Sequence, residues 1–93
     1  MAKRTDINQL EIVNKLREIG AVVQPLHMVG LGVPDLMVSF CGKMYLLEIK
    51  SEKGRLTPEQ KKWHEKWKAP IYIVHNWIEA YRALNITIKG EVK

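Results

Sequence analysis

Met44-Tyr45-Leu46-Leu47-Glu48-Ile49-Lys50 is a short apolar run that ends with an acid and a lysine two positions apart. The run is rich in branched and aromatic side chains and is bounded by Gly42 and a polar loop, which predicts a buried β-strand. Because side chains alternate along a strand, Glu48 and Lys50 share one face and Leu47 and Ile49 the other. Opposite charges at the end of an apolar strand are costly to bury without partners, so we expect partners for both.

A second apolar run, Leu36 to Cys41, follows the segment Gly32-Val33-Pro34-Asp35. Pro34 favours an extended conformation at Val33 and stiffens the approach to Asp35. We predict strands at about Asp35 to Phe40 and Lys43 to Ile49, joined by a hairpin at Cys41-Gly42-Lys43. Such a hairpin would bring Asp35 beside Glu48.

Before these strands, the sequence predicts one helix and one further strand. The helix has Asp6 as its N-cap, runs to Glu18 or Ile19, ends at Gly20, and buries a stripe of Ile12, Leu16 and Ile19. Glu11 lies at the flank of that stripe. It would either form an i,i+4 ion pair with Lys15 or take part in a functional site. Ala21 to Leu26 reads as a strand, and Pro25 places it near a sheet edge.

After the hairpin, a helix is predicted to begin at Thr57, with Pro58 in its first position and Gln60 completing a capping box. Gln60 therefore has two competing roles, the helix cap and the site. Trp63 and Trp67 share its face, and we interpret them as core or subunit contacts rather than platforms for stacking bases.

The end of the chain predicts a buried strand over Ile71 to Val74, introduced by Pro70, and a final helix capped by Asn76. Ile86 to Ile88 is a further short strand candidate. The element order is α-β-β-β-α-β-α, and the last β-α-β connection fits a parallel crossover. We therefore predict an α/β fold with a mixed sheet flanked by helices.

The chain has 93 residues and should form a single domain over residues 1–93, with a basic arm at 1–5 and a polar tail at 85–93. Its 15 basic and 10 acidic side chains give a net charge of +5, which favours nucleic acid as partner. No apolar run approaches the ~20 residues that span a bilayer, and no membrane partner is expected. The single Cys41 fits a reducing cytosol.

Asp35 followed by Glu48-Ile49-Lys50 resembles the PD-(D/E)XK nuclease signature. Two segments of the chain resemble motifs of the VRR-NUC branch of this superfamily: Gly32-Val33-Pro34-Asp35 and Leu56-Thr57-Pro58-Glu59-Gln60. The resemblance is to the small stand-alone viral (phage) form of this branch, which is similar to Holliday-junction resolvases. The resemblance covers roughly residues 6–83. It implies a restriction-endonuclease-like core in a cytoplasmic protein of a bacterial cell or a phage-infected host.

The resemblance further implies a catalytic set of Glu11, Asp35, Glu48, Lys50 and Gln60. Asp35, Glu48 and the main-chain carbonyl of Ile49 would bind Mg²⁺ or Mn²⁺, with Glu11 joining directly or through water. Such hard cations suit phosphodiester hydrolysis. Lys50 would orient a water or place positive charge on the phosphate. The competing interpretation of Glu48 and Lys50 is a plain ion pair.

His27, in the loop before Asp35, is a further candidate for catalysis or phosphate binding, and His64 and His75 have weaker claims. Backbone contacts to DNA are expected from four basic side chains: Lys53, Arg55, Lys61 and Lys62. The function implied is a structure-selective DNA endonuclease acting as a homodimer on branched DNA such as a four-way junction. The alternatives are a monomeric nuclease that nicks flaps or single strands, and a non-catalytic nucleic-acid-binding module.

Overall fold

The computed structural model describes the backbone of residues 4–86 and the side chains of residues 7–86. Helices and strands follow one another in the predicted order along this part of the chain. They are α1 (Arg4–Glu18), β1 (Val22–Pro25), β2 (Leu36–Phe40), β3 (Lys43–Ile49), α2 (Pro58–Lys66), β4 (Tyr72–Val74) and α3 (Trp77–Ala83).

The four strands form one mixed sheet in the order β1-β2-β3-β4. The β1/β2 and β2/β3 pairs are antiparallel, and β3 pairs with β4 in parallel. The β2–β3 turn places Cys41 and Gly42 at positive φ, as a two-residue type I′ hairpin requires. The predicted hairpin, the parallel crossover through α2 and the edge position of the strand containing Pro25 are all confirmed.

The apolar core lies between one face of the sheet and helices α1 and α3. Ile12 and Leu16 are fully buried there with Leu36 and Leu47 from the central strands. The α1–α3 contact also has polar parts: the Tyr81 hydroxyl donates to the main-chain carbonyl of Lys15 at 2.7 Å. The amino group of Lys15 lies 4.4 Å from the centre of the Trp77 ring. These contacts fix the rotation of α1.

Helix α2 lies on the opposite face of the sheet, because it contacts Glu48, whose side chain points away from the core residue Leu47. None of its side chains is buried. Trp63 and Trp67 stack on each other with ring centres 4.9 Å apart, and Trp67 remains 37% exposed. Neither tryptophan belongs to the core formed by the described residues, so the core interpretation is wrong for both, and subunit contact stays a prediction.

Glycine at position 32 brings the loop before β2 against the start of α2. Gly32 has φ +83°, and a Cβ there would overlap the main-chain carbonyl of Glu59. Only glycine accommodates both the backbone conformation and this approach. The loop that leads to Asp35 is therefore packed directly on the first turn of α2.

Several predicted boundaries were wrong. Helix α1 already includes Arg4, so Asp6 is not its N-cap and the arm does not extend to residue 5; a capping residue only biases where a helix starts. The predicted buried strand at Ile71 to Val74 is an edge strand with Ile73 46% exposed, because composition does not reveal strand order. The candidate strand at Ile86 to Ile88 and most of the predicted tail lie outside the described residues. Among residues 4–86, no helix has the length and apolar character needed to cross a bilayer.

Candidate functional site

Asp35 and Glu48 face each other where β2 begins and β3 ends. The register pairs Leu36 with Leu47, and its continuation by one residue sets Asp35 opposite Glu48. The carboxylate of Asp35 accepts a hydrogen bond through Oδ2 from the main-chain N–H of Ile49 at 2.7 Å. The proximity predicted from the hairpin is therefore confirmed.

Glu48 is a fully buried acid, with 0% of its surface exposed. Burial raises the pKa of Glu48 to about 8, helped by a hydrogen bond to Asp35 and by the negative charge of that neighbour, while Lys50 acts in the opposite direction. Two adjacent carboxyl groups in a dry environment do not both ionise readily. This pair is therefore unfavourable in charged form unless a cation compensates it.

Helix α2 supplies polar partners to both oxygens of Glu48. Gln60 Nε2 donates to Glu48 Oε2, and His64 Nε2 lies beside Glu48 Oε1, both at 3.4 Å. Gln60 Oε1 also accepts the main-chain N–H of Thr57 at 2.9 Å. The helix-cap bond and the contact of Gln60 with Glu48 thus coexist, because each uses a different end of the amide.

His64 is a site neighbour that the sequence pattern ranked below His27. It follows Gln60 by four residues on α2, and residues four apart lie on the same face of a helix. That spacing was the available signal, once Gln60 was placed against the acid. Burial and the positive charge of Lys50 lower the pKa of His64, which favours its neutral form.

A cleft of about 690 Å³ opens next to the acid pair, between α1 and the segment that follows β3. Asp35 and Glu48 do not line it, whereas Lys50 does and also acts electrostatically on Glu48. Lys50 therefore joins the acid pair to the cleft. The lining residues are Ile7, Asn8, Glu11, Ile49, Lys50, Ser51, Glu52, Lys53 and His75.

Glu11 is exposed on the wall of this cleft, which it shares with Lys50. The alternative pairing of Glu11 with Lys15 is not seen in the described structure: Lys15 lies 3.9 Å from Glu18 instead. Glu11 is thus left available to the cleft.

The other predicted site residues are on the surface. His27 is exposed at the start of the loop that precedes β2. The four basic residues predicted to contact DNA are all exposed, two on the loop after β3 and two on α2: Lys53, Arg55, Lys61 and Lys62.

The acid pair has the donor chemistry of a hard divalent cation site. Within the described part of the chain, no three His, Cys, Asp or Glu side chains group closely enough to hold a metal ion unaided. Mg²⁺, however, keeps several waters and binds through one or two carboxylates. Asp35 and Glu48, with the main-chain carbonyl of Ile49, fit an ion of that kind. Its charge would stabilise ionised Glu48 against the burial and the neighbouring Asp35 that raise the pKa of Glu48.

A mixed sheet with an acid pair at the open end of its central hairpin, and helices on both faces, defines an α/β fold of the predicted type. The chain is similar to a solved structure of a "VRR_NUC domain", with a TM-score of 0.74 and 22% sequence identity. The similarity covers 90% of this chain and 97% of the other. At this identity it shows the fold. No protein-family model and no curated protein matches the sequence.

Proposed function

We propose that this protein is a metal-dependent DNA endonuclease that hydrolyses phosphodiester bonds. The observation that carries the proposal is the Asp35–Glu48 pair with Lys50 beside it, at the end of β3 in a fold shared with a VRR_NUC domain. A non-catalytic binding module has no need for a buried acid of raised pKa. Two carboxylates facing DNA would also repel its phosphates unless a cation neutralised them.

The chemistry divides between the cation and the protein. A divalent ion bound by Asp35, Glu48 and the carbonyl of Ile49 would supply an activated nucleophile and neutralise charge on the phosphate. Lys50 places a fixed positive charge between the acids and the cleft, where it stabilises the reacting phosphate or orients the attacking water. Gln60 holds the carboxylate of Glu48 in position through its amide nitrogen.

The proposed substrate is branched DNA, including four-way junctions, cut by a homodimer. One chain supplies one Asp35–Glu48–Lys50 set, whereas symmetric resolution needs two equivalent cuts, which a two-fold dimer provides. Met28 and Leu31, at 86% and 78% exposed, give the loop before β2 an apolar tip suited to an interface. Sedimentation at micromolar concentration, combined with cleavage of an immobile junction, tests this. A monomer that only nicks would exclude the resolvase-like activity.

The central test is cleavage of labelled duplex, flap, single-stranded and four-way-junction DNA, with Mg²⁺, with Mn²⁺ and with EDTA. Asp35→Asn, Glu48→Gln and Lys50→Met should each lower the rate by about 100-fold or more, because each removes a charge from the reacting centre. Lys43→Ala, at the far end of the same strand, is the matched control and should cut normally. Near wild-type turnover in any of the three site variants would reject the assigned site.

A further inference from the structure

His75 and Glu79 form a hydrogen-bonded dyad at the entrance to α3. His75 Nδ1 lies 2.8 Å from Glu79 Oε1, and the same oxygen accepts the main-chain N–H of His75 at 2.9 Å. Burial alone would raise the pKa of Glu79, but the hydrogen bonds from His75, together with the electrostatic effects of His75 and Arg82, outweigh it and the pKa is lowered. Glu79 is therefore an ionised acceptor, and it holds His75 with a hydrogen on Nδ1.

The other ring nitrogen of His75, Nε2, has no partner among the side chains and main chain that the structure describes. His75 lines the cleft beside Lys50, and 30% of its side-chain surface is exposed. Its peptide is fixed from the opposite wall, where Asn8 Nδ2 donates to the main-chain carbonyl of His75 at 3.0 Å. The ring is thus oriented on one side and open to a ligand on the other.

Helix capping explains only part of this arrangement. Asn76 Oδ1 accepts the main-chain N–H of Glu79 at 2.9 Å, and Glu79 reaches back to the main-chain N–H of residue 75. Any residue at position 75 except proline would supply that N–H. The bond between the ring and Glu79, and the position of the ring in the cleft, are not needed for the cap.

The composition of the cleft indicates the kind of ligand. Its volume of about 690 Å³ falls in the range of roughly 300–1,000 Å³ that is typical of ligand sites. Lys50 and Lys53 provide positive charge, Glu11 and Glu52 offset it, and the apolar Ile7 and Ile49 offer surface to a sugar or a base. His75 adds a ring nitrogen that can hydrogen-bond a phosphate oxygen between these charges.

We propose that His75 is a phosphate-binding residue, whose Nε2 donates a hydrogen bond to a phosphate oxygen of a nucleic-acid strand lying in the cleft beside Lys50. A ring that carries a hydrogen on both nitrogens donates to Glu79 from Nδ1 and to a phosphate oxygen from Nε2. The inference rests on the proposed function for its substrate class, and it adds a binding residue in the cleft, which Asp35 and Glu48 themselves do not line.

Binding without metal separates this role from catalysis. Fluorescence anisotropy with duplex and single-stranded oligonucleotides in EDTA, over a series of salt concentrations, should show about tenfold weaker binding for His75→Ala. The slope of log K against log salt should flatten by about 0.9 on duplex DNA and about 0.7 on single strands. His75→Lys should restore the slope, because it returns a positive charge, whereas His75→Gln should not.

Two controls exclude a merely structural effect. Each variant should still unfold in one cooperative thermal transition, since the cap at Glu79 survives. Lys43→Ala, roughly 20 Å along β3 from the cleft, should leave the salt slope and the affinity unchanged. In cleavage assays His75→Ala should raise KM more than it lowers kcat.

The outcomes distinguish this inference from the proposed function. If folded His75→Ala binds with wild-type affinity and slope, the phosphate contact is wrong, even where Asp35→Asn abolishes cleavage. If the wild type cuts no DNA in any metal but His75→Ala still flattens the slope, the contact is correct and the nuclease proposal fails.

Discussion

Gln60 joins the start of α2 to the buried acid Glu48 through the two ends of one amide group. Its oxygen accepts the main-chain N–H of Thr57 at 2.9 Å, and its nitrogen donates to Glu48 at 3.4 Å. Because α2 has no buried side chain, these polar contacts, together with His64, carry much of its attachment to the sheet. The position of α2 and the state of Glu48 are therefore linked.

Thr57→Ala and Gln60→Glu should separate the cap from the site. Thr57→Ala removes the bond between the Thr57 hydroxyl and the main-chain N–H of Gln60, which costs about 1 kcal/mol of stability and leaves turnover nearly unchanged. Gln60→Glu keeps an oxygen for the cap but replaces the donor to Glu48 with a like charge, so cleavage should fall about tenfold or more. Urea unfolding and single-turnover cleavage measure the two effects. If Thr57→Ala and Gln60→Glu reduced turnover equally, the helix cap and the contact to Glu48 would not be separable.

Glu48 should make the metal-free protein less stable as the pH rises. Its pKa is raised from 4.5 to about 8 on folding, so its contribution is fully present below pH 4.5 and is lost as the pH rises through about 8. The free energy of unfolding in EDTA should therefore decline between pH 5 and pH 8 relative to Glu48→Gln, by up to roughly 1.4 kcal/mol per pH unit.

The free energy of unfolding must be compared with that of Glu48→Gln at each pH, because the titration of His64 changes stability in the opposite direction. Its lowered pKa removes stability at acid pH, when the ring must charge. Glu65→Gln, an exposed acid on α2, is the matched control and should follow the wild-type curve. Mg²⁺ should restore stability at pH 8 in the wild type but not in Glu48→Gln. A wild-type curve that runs parallel to the curve of Glu48→Gln would contradict the burial argument.

Gly32→Ala and Gly30→Ala form a matched pair on the loop that leads to Asp35. Both glycines have positive φ, +83° and +72°, so alanine strains the backbone at either position by about 1–2 kcal/mol. Only at Gly32 would the new Cβ overlap the carbonyl of Glu59, whereas nothing lies within 4 Å at Gly30. We expect Gly32→Ala to lower the thermal midpoint further and to reduce cleavage as well, because α2 and its contact to Glu48 must move. Equal shifts would show that the close approach is unimportant.

The basic side chains on the loop after β3 and on α2 should set the salt dependence of DNA binding. Replacing Lys53, Arg55, Lys61 or Lys62 with alanine should flatten the slope of log K against log salt by about 0.9 on duplex DNA for each phosphate that the side chain neutralises. Lys43→Ala combined with Lys68→Ala removes charge elsewhere and serves as control. If the variant with all four residues replaced by alanine keeps the wild-type slope, these side chains do not contact the DNA backbone.

The site was predictable where it depends on local rules. Strand alternation put Glu48 and Leu47 on opposite faces, the hairpin register set Asp35 beside Glu48, and the capping box at Thr57 located the start of α2. Each of these predictions depends on a short segment of chain: the alternation of side chains along a strand, the residues of a tight turn, or the residues that cap a helix.

The remaining parts depend on how distant segments meet. The proximity of His64 to Glu48 requires the rotation of α2 about its axis, which Gly32 and the loop after β3 determine together. The place of Glu11 on the cleft wall follows from the packing of α1 on α3 through Tyr81. The dyad of His75 and Glu79 joins a strand end to a helix turn, and neither residue alone has a distinctive pattern.

Pro25 has a consequence for self-association. Strand β1 lies at the edge of the sheet, and the neighbouring main-chain N–H of Leu26 points inwards to the carbonyl of Asp35 at 2.8 Å. Successive amides alternate along a strand, so position 25 faces outwards, where proline has no hydrogen to donate. A strand from another molecule would lack one of its ladder bonds there, which disfavours extending the sheet between copies along this edge. Contacts between side chains are therefore favoured over strand pairing for assembly on the β1 side, and this edge is a poor template for fibrils.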